Sequence, residues 1–443
     1  MKNKLSVLIC LLGLAFQIAG QGEAKGPEGQ WNGVLDAGAA KLRIVVTVTK
    51  SDTGAYAGKF ESVDQGATIP IDSFTVTGDD VRFEIKSASI VYEGSLNKDR
   101  MEIAGKFNQG GQVIPLVFTR SEKTDEPKPK SAPSPTPKPD YSAPADAPYT
   151  SEDVSVTTPM GHTLAGTLTL PKAVSKSKRV AAIVTVTGSG RQNRDGELGL
   201  KGYKPFRQIA DALSRRGIAV LRMDDRGTGE SGGTFKGSTS ADFAEDIRAG
   251  LAYLRARPEI DAKRLGVLGH SEGALITPMV AVKEPDLKAI VLLAGVADPA
   301  RSALAFQIKN LYDHDASLTP EKRAELTAKI PERIQGMMDA DPWMKYFIEY
   351  DPAATMRKVK TPVLILTGQN DKQAVAEQVP LQEKAFKEGG NKDVTAKVLP
   401  GLNHLFVEDA DGFAGNYSKL PPPVVIREDV LKIVADWLAK RLR

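Results

Sequence analysis

The stretch from Gly266 to Ile276, GVLGHSEGALI, places Ser271 between two short apolar runs. Glycines stand two positions before and two positions after this serine. The run before it is typical of a strand and the run after it of a helix, so Ser271 falls where one becomes the other. A glycine-rich turn with a polar residue would give the same pattern. A nucleophile held on a tight turn is the sharper hypothesis.

The sequence around this stretch alternates between strand-like and helix-like segments. Continuous apolar and β-branched runs are typical of parallel strands buried on both faces. Between them, Pro205 can begin a helix, and Phe243, Ile247, Leu251 and Leu254 recur at helical spacing. This alternation predicts a mostly parallel sheet flanked by helices. The predicted strands cover 180–187, 218–221, 264–268, 289–294 and 362–366.

A serine nucleophile needs a histidine base, and the chain has four histidines. His162 lies in a predicted hairpin turn, His270 is adjacent to the serine and points elsewhere, and His314 lies in a helical segment. His404 follows a short predicted strand, 396–399, near the C-terminus of the sheet region. His404 is therefore the predicted base, and a solvent-exposed loop histidine is the alternative.

The base needs an acid that orients it, and this acid should follow a strand and precede His404. Asp371 fits because it comes shortly after the predicted strand 362–366. Asp298, after the preceding strand, is the competing candidate. The resulting chain order of serine, aspartate and histidine is the one associated with a nucleophile elbow.

The tetrahedral intermediate also needs hydrogen-bond donors for its oxyanion. The backbone N–H of Glu272 is one candidate, because it lies at the N-terminus of the helix that follows the serine. The second is predicted in the Gly-rich loop 188–196, with Ser189 as the donor. A phosphate-binding reading of this loop is not favoured, because the chain has neither a P-loop motif nor a complete G-x-G-x-x-G motif. No metal or organic cofactor is implied.

Residues 298–360 interrupt the strand–helix alternation with a long, mostly helical pattern. We predict a helical lid inserted over the site, with an apolar set that lines an acyl pocket. Ordinary helices packed on the core are the alternative. The set consists of Met337, Met338, Trp343, Met344, Tyr346 and Phe347.

The N-terminal part of the chain has a different composition. Residues 1–20 have the two lysines, short apolar run and small residues typical of a secretory signal peptide, which predicts a bacterial periplasmic or secreted protein without a membrane span in its mature chain. The only cysteine, Cys10, lies in this segment, so removal of the segment would leave no thiol for disulfides or a thiolate nucleophile. Alternating strand patterns over 31–120 predict an all-β accessory domain. Proline-rich residues 121–148 predict an extended linker, and 149–443 form the predicted catalytic domain.

Charge provides a further constraint on function. The net charge of +4 is small for 443 residues, and basic blocks with interleaved aromatic residues are absent from the sequence. These features argue against nucleic-acid binding. The sequence leaves the oligomeric state open.

With these parts in place, the region from about Thr150 to Arg443 resembles the α/β-hydrolase superfamily, and within it bacterial secreted esterases and serine aminopeptidase-like hydrolases. In many relatives the oxyanion loop begins His-Gly, whereas Thr187 takes the place of that histidine here. The segment 225–229 is usually structural in the family. The resemblance rests on 187–190 with 195–196, 225–231, 269–273, 367–371 and 401–404.

We therefore expect a serine hydrolase that cleaves small carboxylic esters with short to medium acyl groups. An exopeptidase or amidase acting on small amino-acid amides is the main alternative, with acids such as Asp313, Asp315 or Asp339 holding the substrate amine. A thioesterase acting on acyl-CoA fits less well with export. A non-catalytic binding protein on a hydrolase scaffold is the alternative of a different class, although such a protein has no need of Ser271, Asp371 and His404 together.

Overall fold

The structure is a computed structural model that describes residues 26–36, 41–63, 67–88, 90–109, 112–121, 139–172, 174–175 and 177–443. The predicted signal peptide and most of the predicted linker lie outside these residues. The described residues up to 121 form one compact unit, and those from 139 onward form a second.

The first unit is a single antiparallel sheet of nine strands, in the order β4-β3-β2-β1-β9-β8-β7-β6-β5. Strands β3 and β5, near opposite ends of this order, also contact each other, so the sheet curls on itself. The strands are β1 (Gly29–Asp36), β2 (Lys41–Lys50), β3 (Tyr56–Ser62), β4 (Ala67–Pro70), β5 (Ser73–Thr77), β6 (Asp80–Ile85), β7 (Ile90–Leu96), β8 (Glu102–Gln109) and β9 (Gln112–Arg120).

Alternating side chains fill the inside of this curled sheet. In β6, Val81, Phe83 and Ile85 are buried while the residues between them face outward, as a strand with one covered face requires. The Phe83 ring lies 5.1 Å from the Tyr92 ring and 6.5 Å from the Phe118 ring, measured between centroids. The sheet thus encloses an aromatic core of its own.

The end of the predicted linker packs on the second unit. The Tyr141 side chain is buried, and the guanidinium carbon of Arg194 lies 4.2 Å from its ring centroid. The Arg207 guanidinium donates a hydrogen bond to the Ser142 carbonyl, at 2.7 Å. The linker was predicted to reach residue 148, whereas the chain from 139 onward belongs to the second unit.

The second unit contains a sheet of eight strands in the order β10-β11-β13-β12-β14-β15-β16-β17. The pairs β10–β11 and β11–β13 are antiparallel, and the five remaining neighbouring pairs are parallel. The strands are β10 (Tyr149–Thr157), β11 (Thr163–Pro171), β12 (Val180–Val186), β13 (Ala219–Met223), β14 (Ile260–His270), β15 (Ala289–Leu293), β16 (Val363–Gly368) and β17 (Val394–Leu399).

Helices cover both faces of this sheet, which explains the continuous apolar runs of its central strands. Successive residues of β12 enter different cores: Ile183 packs on one face and Val184 on the other. The first face is covered by α1 (Pro205–Ser214) and α10 (Glu428–Arg441). The second is covered by α2 (Ser240–Ala256), α3 (Glu272–Lys283) and α9 (Gln378–Glu388). Pro205 begins α1, as its position in the sequence predicted.

The segment between β15 and β16 contains five helices joined by short loops. Its first four helices form a small core of their own around Ile308, Ile334 and Met338. The short last helix instead buries Met356 in the main core, as ordinary core helices do. The helices are α4 (Ala300–His314), α5 (Pro320–Ala328), α6 (Ile330–Ala340), α7 (Pro342–Glu349) and α8 (Pro352–Met356).

The parallel register brings the carboxyl ends of the central strands to one edge of the sheet. His270 of β14 is opposite Leu293 of β15, and Gly368 of β16 is opposite Leu399 of β17. The loops that follow these strands therefore meet at one place. Within the described ranges, no helix is both long and apolar enough to span a membrane.

Candidate active site

Ser271 lies at the junction of β14 and α3 with a backbone conformation that is rare for a residue with a side chain. Its φ is 56° and its ψ is −119°. Such a conformation costs on the order of 1–3 kcal/mol and persists only where the surroundings impose it. The Ser271 amide donates to the Leu293 carbonyl at 2.9 Å, which ties the turn to β15. The strand-to-helix turn predicted from the sequence is therefore a sharp, strained elbow.

The two glycines around Ser271 are required by close backbone packing. A Cβ atom on Gly269 would overlap the Gly273 carbonyl, and one on Gly273 would overlap the Val186 carbonyl. Helix α3 therefore starts directly against the ends of β12 and β14. The pentapeptide has a geometric cause here, because only glycine allows the chain to turn this tightly at Ser271.

His404 and Asp371 form a buried pair beside this elbow. The Nδ1 atom of His404 lies 2.8 Å from Oδ2 of Asp371, and the two residues are 5% and 1% exposed. The other carboxylate oxygen accepts hydrogen bonds from the backbone N–H groups of Gln373 and Ala374, at 2.7 and 2.8 Å. Asp371 thus has both oxygens occupied and fixes the orientation of the imidazole.

Ser271 and His404 line the same cavity. Because Nδ1 of His404 is bonded to Asp371, Nε2 is the nitrogen left for the serine hydroxyl. The structure therefore brings together the three residues that the sequence predicted as nucleophile, base and orienting acid.

The competing residues have other partners. The Nε2 of His270 bonds to the His404 carbonyl at 2.9 Å, and burial lowers the pKa of His270 to about 4, so this ring is neutral near pH 7. His314 stacks on Phe413, with ring centroids 4.2 Å apart. Asp298 accepts a hydrogen bond from the Gln378 side chain at 2.9 Å.

The predicted oxyanion residues, Ser189 and Glu272, also line the cavity. Glu272 is the first residue of α3, so its backbone N–H is at the positive end of the helix dipole. Ser189 is solvent-exposed and lies in the loop that follows β12. These positions are compatible with the two predicted donors.

Asp225, in the segment 225–229 that the family resemblance implies to be structural, holds the loop 188–196 that is predicted to carry an oxyanion donor. Asp225 accepts a hydrogen bond from the Thr187 hydroxyl at 2.6 Å and another from the Gln192 backbone N–H at 2.8 Å. Desolvation raises the pKa of Asp225 to about 7. The threonine that replaces the histidine of many relatives therefore has a role of its own, which is to anchor this loop on Asp225.

The Glu272 side chain is a feature that sequence reasoning missed. The carboxyl is buried, with the whole residue 3% exposed, and it accepts hydrogen bonds from Ser240 and from the Trp343 indole. Burial raises the pKa of Glu272, an effect opposed by these donors and by the Ser189 hydroxyl. The available signal was a charged residue at the start of a helix whose next ten residues are almost all apolar.

The cavity has a volume of about 410 Å³ and walls that are largely apolar. The helical insertion supplies part of them. Of the apolar set predicted to line an acyl pocket, Trp343, Met344 and Phe347 do so. Met338 is buried in the insertion's own core and Met337 packs against that core, while Tyr346 stacks on Tyr350. The other apolar wall residues include Leu198, Phe206, Leu275, Val296 and Leu304.

The lid acids suggested for binding a substrate amine lie elsewhere. Asp313 pairs with Lys309 at 2.5 Å, and Asp339 accepts a hydrogen bond from the Gln335 side chain. Asp315 accepts from the Ser317 backbone and side chain. Among the described residues that line the cavity, Glu272 is the only acid, and its carboxyl already accepts hydrogen bonds from Ser240 and Trp343. Within the described chain, no group of three or more His, Cys, Asp or Glu residues is arranged to hold a metal ion.

Comparison with known proteins gives consistent matches. Residues 201–411, which include Ser271, Asp371 and His404, match the family described as serine aminopeptidase, S33. Esterase EstD of Thermotoga maritima is 29% identical over 362 residues, which cover 79% of this chain and 79% of that protein.

Solved structures that resemble the chain include two esterases. An esterase of Pyrococcus furiosus is 18% identical, with 67% of this chain and 92% of that chain covered and a TM-score of 0.46. Est1E of Butyrivibrio proteoclasticus is 16% identical, with 66% and 98% covered and a TM-score of 0.44. The family match and the similarity to EstD support an esterase-like protein of the α/β-hydrolase type.

Proposed function

We propose that the chain is a serine esterase that hydrolyses carboxylic esters with short to medium acyl groups. The observation that carries this proposal is the strained Ser271 elbow, which opens into an apolar cavity beside the His404–Asp371 pair. A neutral ester suits this cavity, because apolar side chains form most of its walls and the Glu272 carboxyl is already hydrogen-bonded.

In the proposed reaction, the Ser271 hydroxyl oxygen attacks the ester carbonyl carbon while its proton passes to Nε2 of His404. The backbone N–H groups of Ser189 and Glu272 donate to the oxyanion. The C–O bond to the alcohol then breaks, and the alcohol leaves with the proton from His404. Water attacks the acyl-enzyme through the same histidine, which releases the acid and restores Ser271. Asp371 keeps Nε2 of His404 directed at the serine throughout.

The direct test is hydrolysis of p-nitrophenyl acetate, butyrate and octanoate by the wild type and the Ser271→Ala variant. We expect turnover by the wild type that the variant loses, and a chain-length profile that reports the size of the cavity. Stoichiometric labelling of Ser271 by a fluorophosphonate would identify the nucleophile independently. Retention of more than a few per cent of the activity by the variant would contradict the assignment of Ser271.

Amide hydrolysis of small amino-acid derivatives is a second candidate, and the match to the serine aminopeptidase family favours it. The substrate amine would then need a carboxylate with a free oxygen near Ser271. The Glu272 carboxyl is a poor candidate for that role, because it is buried and already bonded to the Ser240 hydroxyl and the Trp343 indole through Oε1. Comparing an amino-acid p-nitroanilide with p-nitrophenyl butyrate distinguishes the two functions.

Export to the periplasm or medium is part of the same proposal and rests on the composition of residues 1–20. The N-terminal sequence of the protein recovered from a periplasmic fraction tests it. We expect a new N-terminus near Gly20.

A further inference from the structure

The Glu272 carboxyl joins four separate segments around the candidate nucleophile. Glu272 directly follows Ser271, and Ser240 is the first residue of α2. Trp343 belongs to α7 in the helical insertion. The Ser240 hydroxyl and the Trp343 indole N–H donate to the same oxygen, Oε1, at 2.6 and 2.8 Å. The Ser189 hydroxyl of the oxyanion loop also interacts with this carboxyl.

Burial gives these contacts their weight. Glu272 is 3% exposed and Ser240 is fully buried, so water does not replace a lost partner easily. A buried carboxyl without donors is costly, on the order of several kcal/mol, whereas one with its hydrogen bonds made is tolerated. The four segments are therefore held together by a carboxyl whose hydrogen bonds are costly to break.

The Glu272 residue is thereby connected with both predicted oxyanion donors. The backbone N–H of Glu272 is one donor, and its side chain interacts with Ser189, which carries the other. The two predicted donors come from separate segments, because Ser189 lies on an exposed loop after β12 and Glu272 begins α3. Displacement of an oxyanion donor is costly for catalysis, about 100- to 1,000-fold when a donor is lost completely.

The same carboxyl also holds one wall of the cavity. Trp343 lines the cavity, and its ring lies 5.9 Å from the Phe347 ring and 6.4 Å from the Phe235 ring, between centroids. Indole is a hydrogen-bond donor only, so its N–H needs an acceptor when it is partly buried. Glu272 supplies that acceptor and ties α7 to the base of the cavity.

We infer that the Glu272 side chain is a positioning residue for ester hydrolysis, because its bonds to Ser240 and Trp343 fix the start of α3, which carries the Glu272 oxyanion donor, and the Trp343 wall of the cavity relative to Ser271. This inference rests on the proposed esterase function. In this role, the Glu272 carboxyl does not contact the reacting atoms.

The test compares Glu272→Ala, Glu272→Gln and Trp343→Phe in the full chain, with p-nitrophenyl acetate and octanoate as substrates. Alanine removes the acceptor, glutamine keeps one carbonyl oxygen for Ser240 and Trp343, and phenylalanine removes only the indole donor. Trp437→Phe is the matched control, because the Trp437 indole donates to Thr395 at 3.1 Å, on α10 and β17, away from the cavity.

We expect Glu272→Ala to lower kcat for acetate about 10- to 100-fold with little change in KM, since it loosens oxyanion donors that act in the transition state. Glutamine should restore kcat to within about fivefold of the wild type, since it keeps the shared acceptor. Trp343→Phe should raise KM for octanoate about fivefold more than it raises KM for acetate, because a long acyl chain uses more of this wall than a short one does. The Trp437→Phe control should change neither parameter.

A double variant measures whether the two roles share one group. In Glu272→Ala, Trp343→Phe should add little to KM for octanoate, because the bond that it removes is already gone. Additive effects, or a kcat within twofold of the wild type in Glu272→Ala, would overturn the inference. If Glu272→Ala does not fold, Trp343→Phe decides alone: an unchanged KM for octanoate overturns the inference and a raised KM supports it. A wild type that neither hydrolyses esters nor reacts with a fluorophosphonate would instead refute the proposed function.

Discussion

The second unit contains two histidine–aspartate pairs, each beside a hydroxyl side chain. In one, His404 bonds to Asp371 at 2.8 Å and shares a cavity with Ser271. In the other, Nε2 of His162 lies 3.1 Å from Asp246, and Nδ1 lies 3.1 Å from the Thr158 hydroxyl. By residue type and hydrogen bonding alone, the second pair also resembles a nucleophile, a base and an orienting acid.

The two pairs differ in what remains available for a substrate. Both nitrogens of His162 have partners, and Asp246 also accepts from the Arg226 guanidinium at 2.7 Å. Thr158 is buried, at 4% exposure, and neither it nor His162 lines the large cavity. This pair connects the β10–β11 turn to α2 and to the loop after β13. The other pair is the catalytic candidate because His404 lines an open cavity together with the strained Ser271.

Ser271→Ala should have the largest effect on hydrolysis, a loss on the order of 10⁴-fold or more in kcat with p-nitrophenyl butyrate. The fold should be unaffected, because the substitution removes only the contacts that the Ser271 hydroxyl makes. Circular dichroism with steady-state kinetics checks both parts. Thr158→Val provides the counterpart in the other pair, and a comparable loss in that variant would reverse our choice of pair.

Asp371→Asn should lower kcat by about 10²- to 10⁴-fold, because an amide no longer stabilises the imidazolium and can select the wrong tautomer. The matched variant is Asp246→Asn, whose hydrolysis rate per folded molecule should stay within about twofold, because Asp246 does not line the site. Active-site titration gives the folded, competent fraction in each case. Equal losses in the two variants would mean that the two pairs are not functionally distinct.

Asp225→Asn changes the neighbour of Arg226. Arg226 bonds to Asp246 of the second pair, whereas Asp225 bonds to Thr187 and Gln192 in the predicted oxyanion loop. We expect about a tenfold fall in kcat, because asparagine cannot accept from both Thr187 and Gln192 as the carboxylate does. The folded pKa of about 7 lies above the unfolded value near 3.9, so this group makes the free energy of unfolding fall as pH rises through that window. The variant should lack this contribution. The difference in the free energy of unfolding between variant and wild type should therefore shift in favour of the variant as pH rises from about 4 to 7.

Urea unfolding at pH 4.5, 6 and 8 measures this difference directly. A variant that tracks the wild type at all three pH values would show that Asp225 does not titrate in this window.

Thr158→Val should have the smallest effect on activity, none that kinetics resolves. It removes the Thr158 hydroxyl that bonds to the ring and the carbonyl of His162, and the free energy of unfolding should fall by about 1 kcal/mol. Asp246→Asn should destabilise more, by about 3–5 kcal/mol, because it leaves the Arg226 guanidinium buried without its carboxylate. Urea denaturation of the two variants ranks them, and the reverse ranking would contradict the structural role assigned to the Asp246–Arg226 pair.

The local sequence was most informative at positions where the backbone geometry allows only one type of residue. Gly269 and Gly273 flank a serine that only a tight elbow accommodates, and the apolar runs of the central strands require cover on both faces. Because parallel strands end at one edge, residues that follow strands could be predicted to meet there. That reasoning led from Ser271 to Asp371 and His404 without any contact being known.

Long-range partners were not predictable in the same way. Met337 and Met338 are apolar like the residues of the cavity wall, but the orientation of α6 places them in or against the insertion's own core. The Tyr141 ring shares a proline-rich segment with linker residues, yet it is buried against Arg194.

The sequence by itself determined the α/β alternation, the strained elbow and the order of the three candidate residues, because these depend on local periodicity and on glycine. Only the tertiary structure decided which hydroxyl–histidine–aspartate set opens into a cavity, and that Asp225 and Glu272 hold the oxyanion loop and the Trp343 wall. The physical reason is that a buried carboxyl takes its role from the donors around it, and those donors come from segments far apart in the chain.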